Sequence, residues 1–343
     1  MVSTLDDTKR LAIAAKLEEM KALQNLLIEN EQKLISACAD QEICDRFRDM
    51  LNDDQKNMGI LDTVIVQYGV KGEPKQTTVK MVEEARKLMA GSELTLFEKV
   101  GQHELLKHKQ TMSGLLIHKA AQVVGADIEA AITPLNTVNF ENRAHQEQLK
   151  GILEILGVRE LTGKDPDQGI WARVQDAIAA FTGVAGSVVS RTDTEMSIRD
   201  LIRMDHTKVN TLFMEIENTN DPQKIQEFFG QIYKDLNAHS IAEEEIVYPA
   251  VRPYYSDTQD LYNEQAEMKQ MLDQIKSMNP SASNFKDQVK QLKDAVTHHV
   301  RQEENEMFPK IRDNFSDEQQ KQMATQFKTS KSQVMEKMAA SMK

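Results

Sequence analysis

The sequence predicts an all-α fold of two antiparallel helical bundles, and three observations predict it. The chain has 343 residues, more than one average domain holds. It is 40% hydrophobic but only 5% aromatic, with 14 Gly and 8 Pro, a composition that favours helices over sheets. Apolar residues also recur at helical spacing through long stretches that turn-rich separators divide.

The first block runs from about residue 11 to 69 and is almost free of breakers. Leu23, Leu26, Leu27, Leu34 and Ile35 trace one apolar stripe, and Phe47, Met50, Leu51, Met58, Leu61, Val64 and Ile65 trace another. The polar run "LNDDQKN" either separates two helices here or lies within one. "YGVKGEPKQ" reads as a loop. A long helix follows over about 79–124, with a break near "AGSE", where Ser92 offers a cap. "VGADIEAA" is a tight connection into a helix over about 128–156. Four helices on short connections suggest an up-and-down bundle. "GVRELTGKDPDQG" reads as a linker. After it, Trp171, Val174, Ile178 and Phe181 form a stripe expected to dock on one of the bundles. The second domain starts near Met196, with helices over roughly 196–218, 222–251, 257–278, 283–312 and 316–341. Ser316 and Gln319 match a capping box at the last of these.

Charge and cysteine content narrow the function. Lys and Arg total 42 against 54 Asp and Glu, for a net charge of −12, which argues against general binding to nucleic acid or anionic membrane. No segment has the roughly 20 apolar residues that span a bilayer, and the start lacks a signal-peptide pattern. Cys38 and Cys44, the two cysteines, lie about 120° apart on a helix, so reduced thiols in a cytoplasm are expected.

The chemistry concentrates in the histidines. "HSIAEEEIVYPAV" from His239 has an echo in "HVRQEENEMFPKI" from His299, pairing His239 with His299, Glu243 with Glu303, Glu244 with Glu304, and Tyr248-Pro249 with Phe308-Pro309. Residues i and i+4 share a helix face, so His and Glu converge on one point in each copy. With 54 acids in 343 residues, one such pair among eight histidines is expected by chance, but two with the same tail are not. His206, in "LIRMDHTKVNTLF", projects near the stripe of Leu201, Ile202, Val209, Leu212 and Phe213. Imidazole and carboxylate together suit iron, zinc or copper.

"DHTKVNTLF", "HSIAEEEIVYPAV" and "HHVRQEENEMFP" resemble the hemerythrin-type, or HHE cation-binding, family over roughly 196–315. The resemblance implies an antiparallel four-helix bundle with a non-haem di-iron centre. It implies that His206 and His239 bind one iron, that His299 binds the other, and that Glu243 and Glu303 bridge them. The family carries a further histidine on the third helix, where this sequence has Met268 in "NEQAEMKQMLDQI". A thioether is a poor iron ligand in an oxygen-rich site, so an open coordination position, a mononuclear centre or a decayed site is implied, with Glu264 or Glu267 as substitutes. His298 is expected to turn away from its neighbour His299.

The first bundle more faintly resembles the ferritin-like stress proteins. Their Glu-x-x-His pattern is incomplete here, with Asp54 and Asn57 on one helix and Asn142 and His145 on another. The organisation expected is a ferritin-like bundle over 1–160, a linker and docking helix over 161–194, a hemerythrin-like domain over 195–315 and a C-terminal helix over 316–343. The function expected is a cytoplasmic non-haem iron protein, with one iron or two, that meets dioxygen, nitric oxide or peroxide in sensing, storage or stress protection. No nucleophile or phosphate-cradling loop is visible, so binding without turnover is the leading reading. The alternatives are a di-iron oxidase or peroxidase and a metal-free helical scaffold. The expected partners are a small diatomic ligand and further copies of the chain, with no nucleic acid and no membrane.

Overall fold

A computed structural model describes residues 8–166 and 196–341. The expected docking helix with Trp171, Val174, Ile178 and Phe181 lies outside the described residues. Every regular element among the described residues is helical.

Six helices build the first half. They are α1 (Thr8–Ala37), α2 (Gln41–Tyr68), α3 (Gln76–Ala90), α4 (Leu96–Val124), α5 (Ala126–Ile132) and α6 (Leu135–Thr162). Helix α1 packs on α2 and α4, and α6 packs on the same two, so α2 and α4 stand on a diagonal. The connection between them is long, because α3 runs along the outside of α1 from one end of the bundle to the other. The up-and-down order expected for this half therefore does not hold. Fifteen residues of helix are spent on reversing direction before α4 begins.

Local chemistry sets the boundaries. "LNDDQKN" lies inside α2, where Asp54 and Asn57 face the interior and are buried. The break comes earlier, where the Asp40 carboxylate accepts from the Glu42 and Ile43 amides at 3.0 and 3.2 Å. Thr95 with Glu98, in place of Ser92, caps α4 through reciprocal side-chain bonds to the backbone. Helix α6 continues to Thr162 and ends on Gly163, whose φ of 68° is open to glycine at little steric cost.

The second half contains α7 (Ile198–Asn218), α8 (Pro222–Ala242), α9 (Thr258–Lys276), α10 (Phe285–Gln302) and α11 (Asp317–Ser341). Helices α7 to α10 close a ring of antiparallel neighbours, and α11 lies across α7 and α8. The Ser316–Gln319 capping box forms as the sequence predicts. Helices α8 and α10 both widen into a π turn, Glu243–Val247 and Glu303–Met307, and resume as Tyr248–Val251 and Phe308–Asn314. Each π turn precedes a proline that lacks an amide donor, and the Tyr248 and Phe308 amides reach back to the Glu243 and Glu303 carbonyls.

The two halves meet where α5 packs on α7 and at the end of α2. Gly69 takes φ 71°, and its ideal Cβ position would lie 2.3 Å from an Asp235 oxygen. Lys208, buried on α7, donates to the last α2 carbonyls, Gln67 O and Tyr68 O, at 2.7 and 2.9 Å. It also pairs with Asp235 at 2.8 Å. One ammonium thus satisfies helix-end carbonyls of the first bundle from inside the second.

Candidate metal centre

Three imidazoles and two carboxylates meet in the middle of the second bundle. His206 comes from α7, His239 and Glu243 from α8 and its π turn, and His299 and Glu303 from α10 and its π turn. Among the described residues, His206, His239, Glu243 and Glu303 form the one group of three or more such side chains whose ligand atoms all lie within 4.8 Å of one another. His299 adjoins it, with Nε2 3.3 Å from Glu303 Oε1. His239 Nε2 is 3.1 Å from Glu243 Oε2, the two i,i+4 pairs being alike. His298 stands 76% exposed, turned away from the centre.

In each of the three histidines one ring nitrogen faces this centre and the other is held by a carboxylate on a different helix. His206 Nδ1 is 2.8 Å from Glu304, His239 Nδ1 is 2.9 Å from Asp205, and His299 Nδ1 is 2.7 Å from Glu264. Such partners fix tautomer and ring orientation, as outer carboxylates do for metal-bound histidines. None of the three was singled out in the sequence for this task. Asp205 was hidden as the neighbour of a histidine, and Glu304 as the second acid of the repeat. Glu264, considered there as a substitute ligand, anchors His299 instead.

The third-helix side of the centre holds Gln265 and Met268. The Gln265 amide donates to Glu243 Oε2 at 2.8 Å and to the Tyr248 hydroxyl at 2.6 Å, and Tyr248 donates to Glu303 Oε1 at 2.7 Å. Met268 is buried and Glu267 is exposed, so neither supplies a polar atom to the centre. The repeat is asymmetric at this point. Tyr248 places a hydroxyl among the carboxylates, whereas its counterpart Phe308 packs under the Arg203 guanidinium. The one-atom difference between Tyr and Phe was the sequence signal for this role.

The electrostatics are those of a site built for a cation. Burial raises the Glu243 carboxyl above its ordinary range, and the Glu303 carboxylate adds to the shift. Burial works the same way on Glu303, but His299 and His206 overcome it and hold Glu303 well below that range. For His239 and His299, burial disfavours the charged ring, yet Glu243 and Glu303 respectively carry the pKa to about 10. His206 Nε2 lies 3.2 Å from Glu303 Oε2, but the two are not aligned for a hydrogen bond, and neither atom has another partner. Glu243 Oε1 is likewise buried without one. Buried polar atoms are almost always satisfied, and here the unpartnered Glu243 oxygen stands in a group whose ligand atoms all lie within 4.8 Å of one another, an arrangement that fits a metal ion. Beside them lies a cavity of about 20 Å³, lined by His206, His239, Gln265, Met268 and His299 among others. That is room for a molecule of about the size of one water.

The first bundle has a buried polar centre of a different kind. His103 and His145 both reach it, but the Lys107 ammonium occupies the middle. It pairs with Asp54, with Glu31 at 3.1 Å and with His145 Nδ1 at 3.0 Å. His103 Nε2 lies 3.2 Å from the same Glu31 oxygen. Of the ligand-type residues noted in the sequence, Asp54 and His145 therefore face a built-in cation.

The second bundle has counterparts among known proteins. The model of the hemerythrin HHE cation binding domain matches residues 197–311. A protein of Nostoc sp. (strain PCC 7120 / SAG 25.82 / UTEX 2576) named DNA nickase is 64% identical over 342 residues, 98% of this chain and 97% of that one. Residues 197–311 of the chain belong to the hemerythrin HHE family. A second relative of this hemerythrin-type protein, the uncharacterized hemerythrin-like protein C869.06c of Schizosaccharomyces pombe (strain 972 / ATCC 24843), is 29% identical over 140 residues, covering 39% of this chain and 68% of that one. No solved structure matches the chain. The ferritin-like resemblance of the first bundle has no counterpart in these matches. No helix among the described residues is long and apolar enough to cross a membrane.

Proposed function

We propose that the C-terminal bundle holds non-haem iron between His206, His239, His299, Glu243 and Glu303, and that the centre meets a small molecule such as dioxygen, nitric oxide or peroxide. The observation that carries this reading is the set of three inward imidazoles, each anchored through its outer nitrogen, around buried carboxylate oxygens without partners. Iron, when bound, supplies Lewis acidity and one-electron chemistry. The chain itself orients the imidazoles through Glu304, Asp205 and Glu264. Gln265 and Tyr248 hold the two carboxylates, and the apolar walls of Val209, Leu236 and Val296 exclude bulk water. Met268 contributes volume without a hard donor, which supports a coordination position left to an exogenous ligand.

A second reading rests on the relative named DNA nickase, which is similar along almost the whole chain. Strand scission needs a phosphodiester at the reacting centre or a reactive species that leaves it. A cavity of about 20 Å³ does not admit a phosphodiester, and a net charge of −12 repels one, which weighs against scission at the centre itself and leaves only a species that forms there and departs.

One experiment separates the two. Iron-loaded protein is mixed with oxygenated buffer and with supercoiled plasmid, with catalase present, beside His239→Ala and His299→Ala variants of unchanged helicity. The small-molecule reading expects an oxygen-dependent visible absorbance change that both variants lose, with the plasmid intact. Open-circular plasmid formed by the parent and not by the variants would transfer the function to strand scission. An optically silent protein that leaves the plasmid supercoiled would remove both readings.

A further inference from the structure

Helix α11 lies beyond the segment matched by the family model, which ends at residue 311. It nevertheless reaches the candidate metal centre. The Lys331 side chain is buried, with its ammonium 2.6 and 2.7 Å from the two Asp205 oxygens. Asp205 Oδ2 is in turn 2.9 Å from His239 Nδ1, and the other nitrogen of that ring faces Glu243. One turn earlier on α11, the Phe327 ring packs edge-on against the His239 imidazole at 5.9 Å. The same helix therefore holds His239 through a charged chain and through direct ring contact.

The three anchoring carboxylates are not equivalent. Glu304 and Glu264 are 31% and 25% exposed in their side chains, where water shares in solvating them. Asp205 is 6% exposed, and it alone has a buried ammonium behind it. A buried carboxylate without a counter-charge is costly, and its side chain has no reason to keep one rotamer. Lys331 meets both needs, since contact with both oxygens fixes the plane of the carboxylate and so the direction from which it grips the imidazole.

We propose that Lys331 is a positioning residue for the metal ligand His239, acting through Asp205, so that docking of the C-terminal helix completes the metal centre. The proposal rests on the reading of the second bundle as metal-binding. It extends the working unit beyond the four helices of the family segment, because the residue that sets one ligand stands on a fifth.

The test is a titration of the metal-free full chain with cobalt(II) alone, read by its ligand-field absorption and by the dissociation constant. Lys331→Met is expected to weaken cobalt binding by about 10- to 100-fold, the usual cost of losing an outer partner of a metal-bound histidine, and to shift the bands. Lys331→Gln, which keeps a donor for Asp205, is expected to lose less. Lys331→Met added to Asp205→Asn is expected to cost nothing further. Glu336→Gln removes an exposed α11 pair with Lys71 and leaves Asp205 untouched, so the cobalt bands and affinity are expected to stay as in the parent. A folded Lys331→Met or Lys331→Gln protein with the parent's affinity and bands would overturn the positioning role while leaving the metal reading intact. An equal shift in Glu336→Gln would overturn it too, because general loosening of α11 would then explain the effect. Should Lys331→Met fail to fold, Lys331→Gln is judged by the same criterion. A parent protein that takes up no cobalt would remove the metal reading itself.

Discussion

The side chains at the centre of the first bundle show how one residue settles a site's chemistry. Lys107 is fully buried between Asp54 and Glu31, and a single ammonium cannot neutralise two carboxylates. The acids divide accordingly. Asp54 is held well below its ordinary range, because Lys107 and His145 overcome the burial that would raise it. Glu31 is pushed up to about 8, chiefly by burial and then by Asp54. A folded pKa above the unfolded one gives stability that is complete below the ordinary Glu range and fades as pH rises through about 8. Glu31→Gln is therefore expected to flatten the decline in thermal midpoint between about pH 5 and about pH 9. Scanning calorimetry of both proteins checks this, and parallel pH profiles would contradict it. At this scale the histidines were legible in the sequence, because a ligand pair on one helix leaves a spacing. Their anchors were not, because Glu264 stands 35 positions from His299 and Glu304 stands 98 from His206. Contacts between helices leave no periodic trace.

At the scale of elements, the repeated His-x3-Glu-Glu-x3-aromatic-Pro is a helix that passes into a π turn before its proline. The extra residue in that turn absorbs the missing amide and places Tyr248 beside the carboxylate that follows His299. Helix existence and approximate extent were legible from apolar stripes and capping residues, as at Ser316. The crossover was not, since both orders of a four-helix bundle use the same stripes. What distinguishes them is where the α2–α3 connection goes, and Gly72 shows it. A Cβ there would sit 2.3 Å from the Ala15 nitrogen and 2.4 Å from the Ala14 carbonyl carbon, both backbone atoms that cannot rotate away. Gly72→Ala is expected to cost about 1–3 kcal/mol, the range for forcing extra atoms into a packed site. A lower urea midpoint at unchanged slope would show it, and an unaltered midpoint would contradict the close approach.

For the whole molecule, the fold class was legible from composition, whereas the joining of the two halves was not. The junction is made by α5 packed on α7, by Lys208 on the carbonyls that end α2 and by Gly69 pressed against Asp235. Helix α11 adds a bridge of its own, through Lys328 to Thr63 and Lys71 to Glu336, while its Lys331 reaches Asp205. The first bundle carries its own cation in Lys107. The second instead brings ligand atoms of His206, His239, Glu243 and Glu303 within 4.8 Å of one another with no lysine or arginine among them, and on this contrast the functional account depends. The most direct measurement is the iron content of the full chain purified after growth with iron, taken beside Lys107→Met and a His239→Ala, Glu303→Gln double variant. The account predicts at least about one iron per chain in the parent and in Lys107→Met, and almost none in the double variant, as hard and borderline donors at a single centre require. A parent with far less than one iron per chain, or a double variant that keeps the parent's iron, would contradict it.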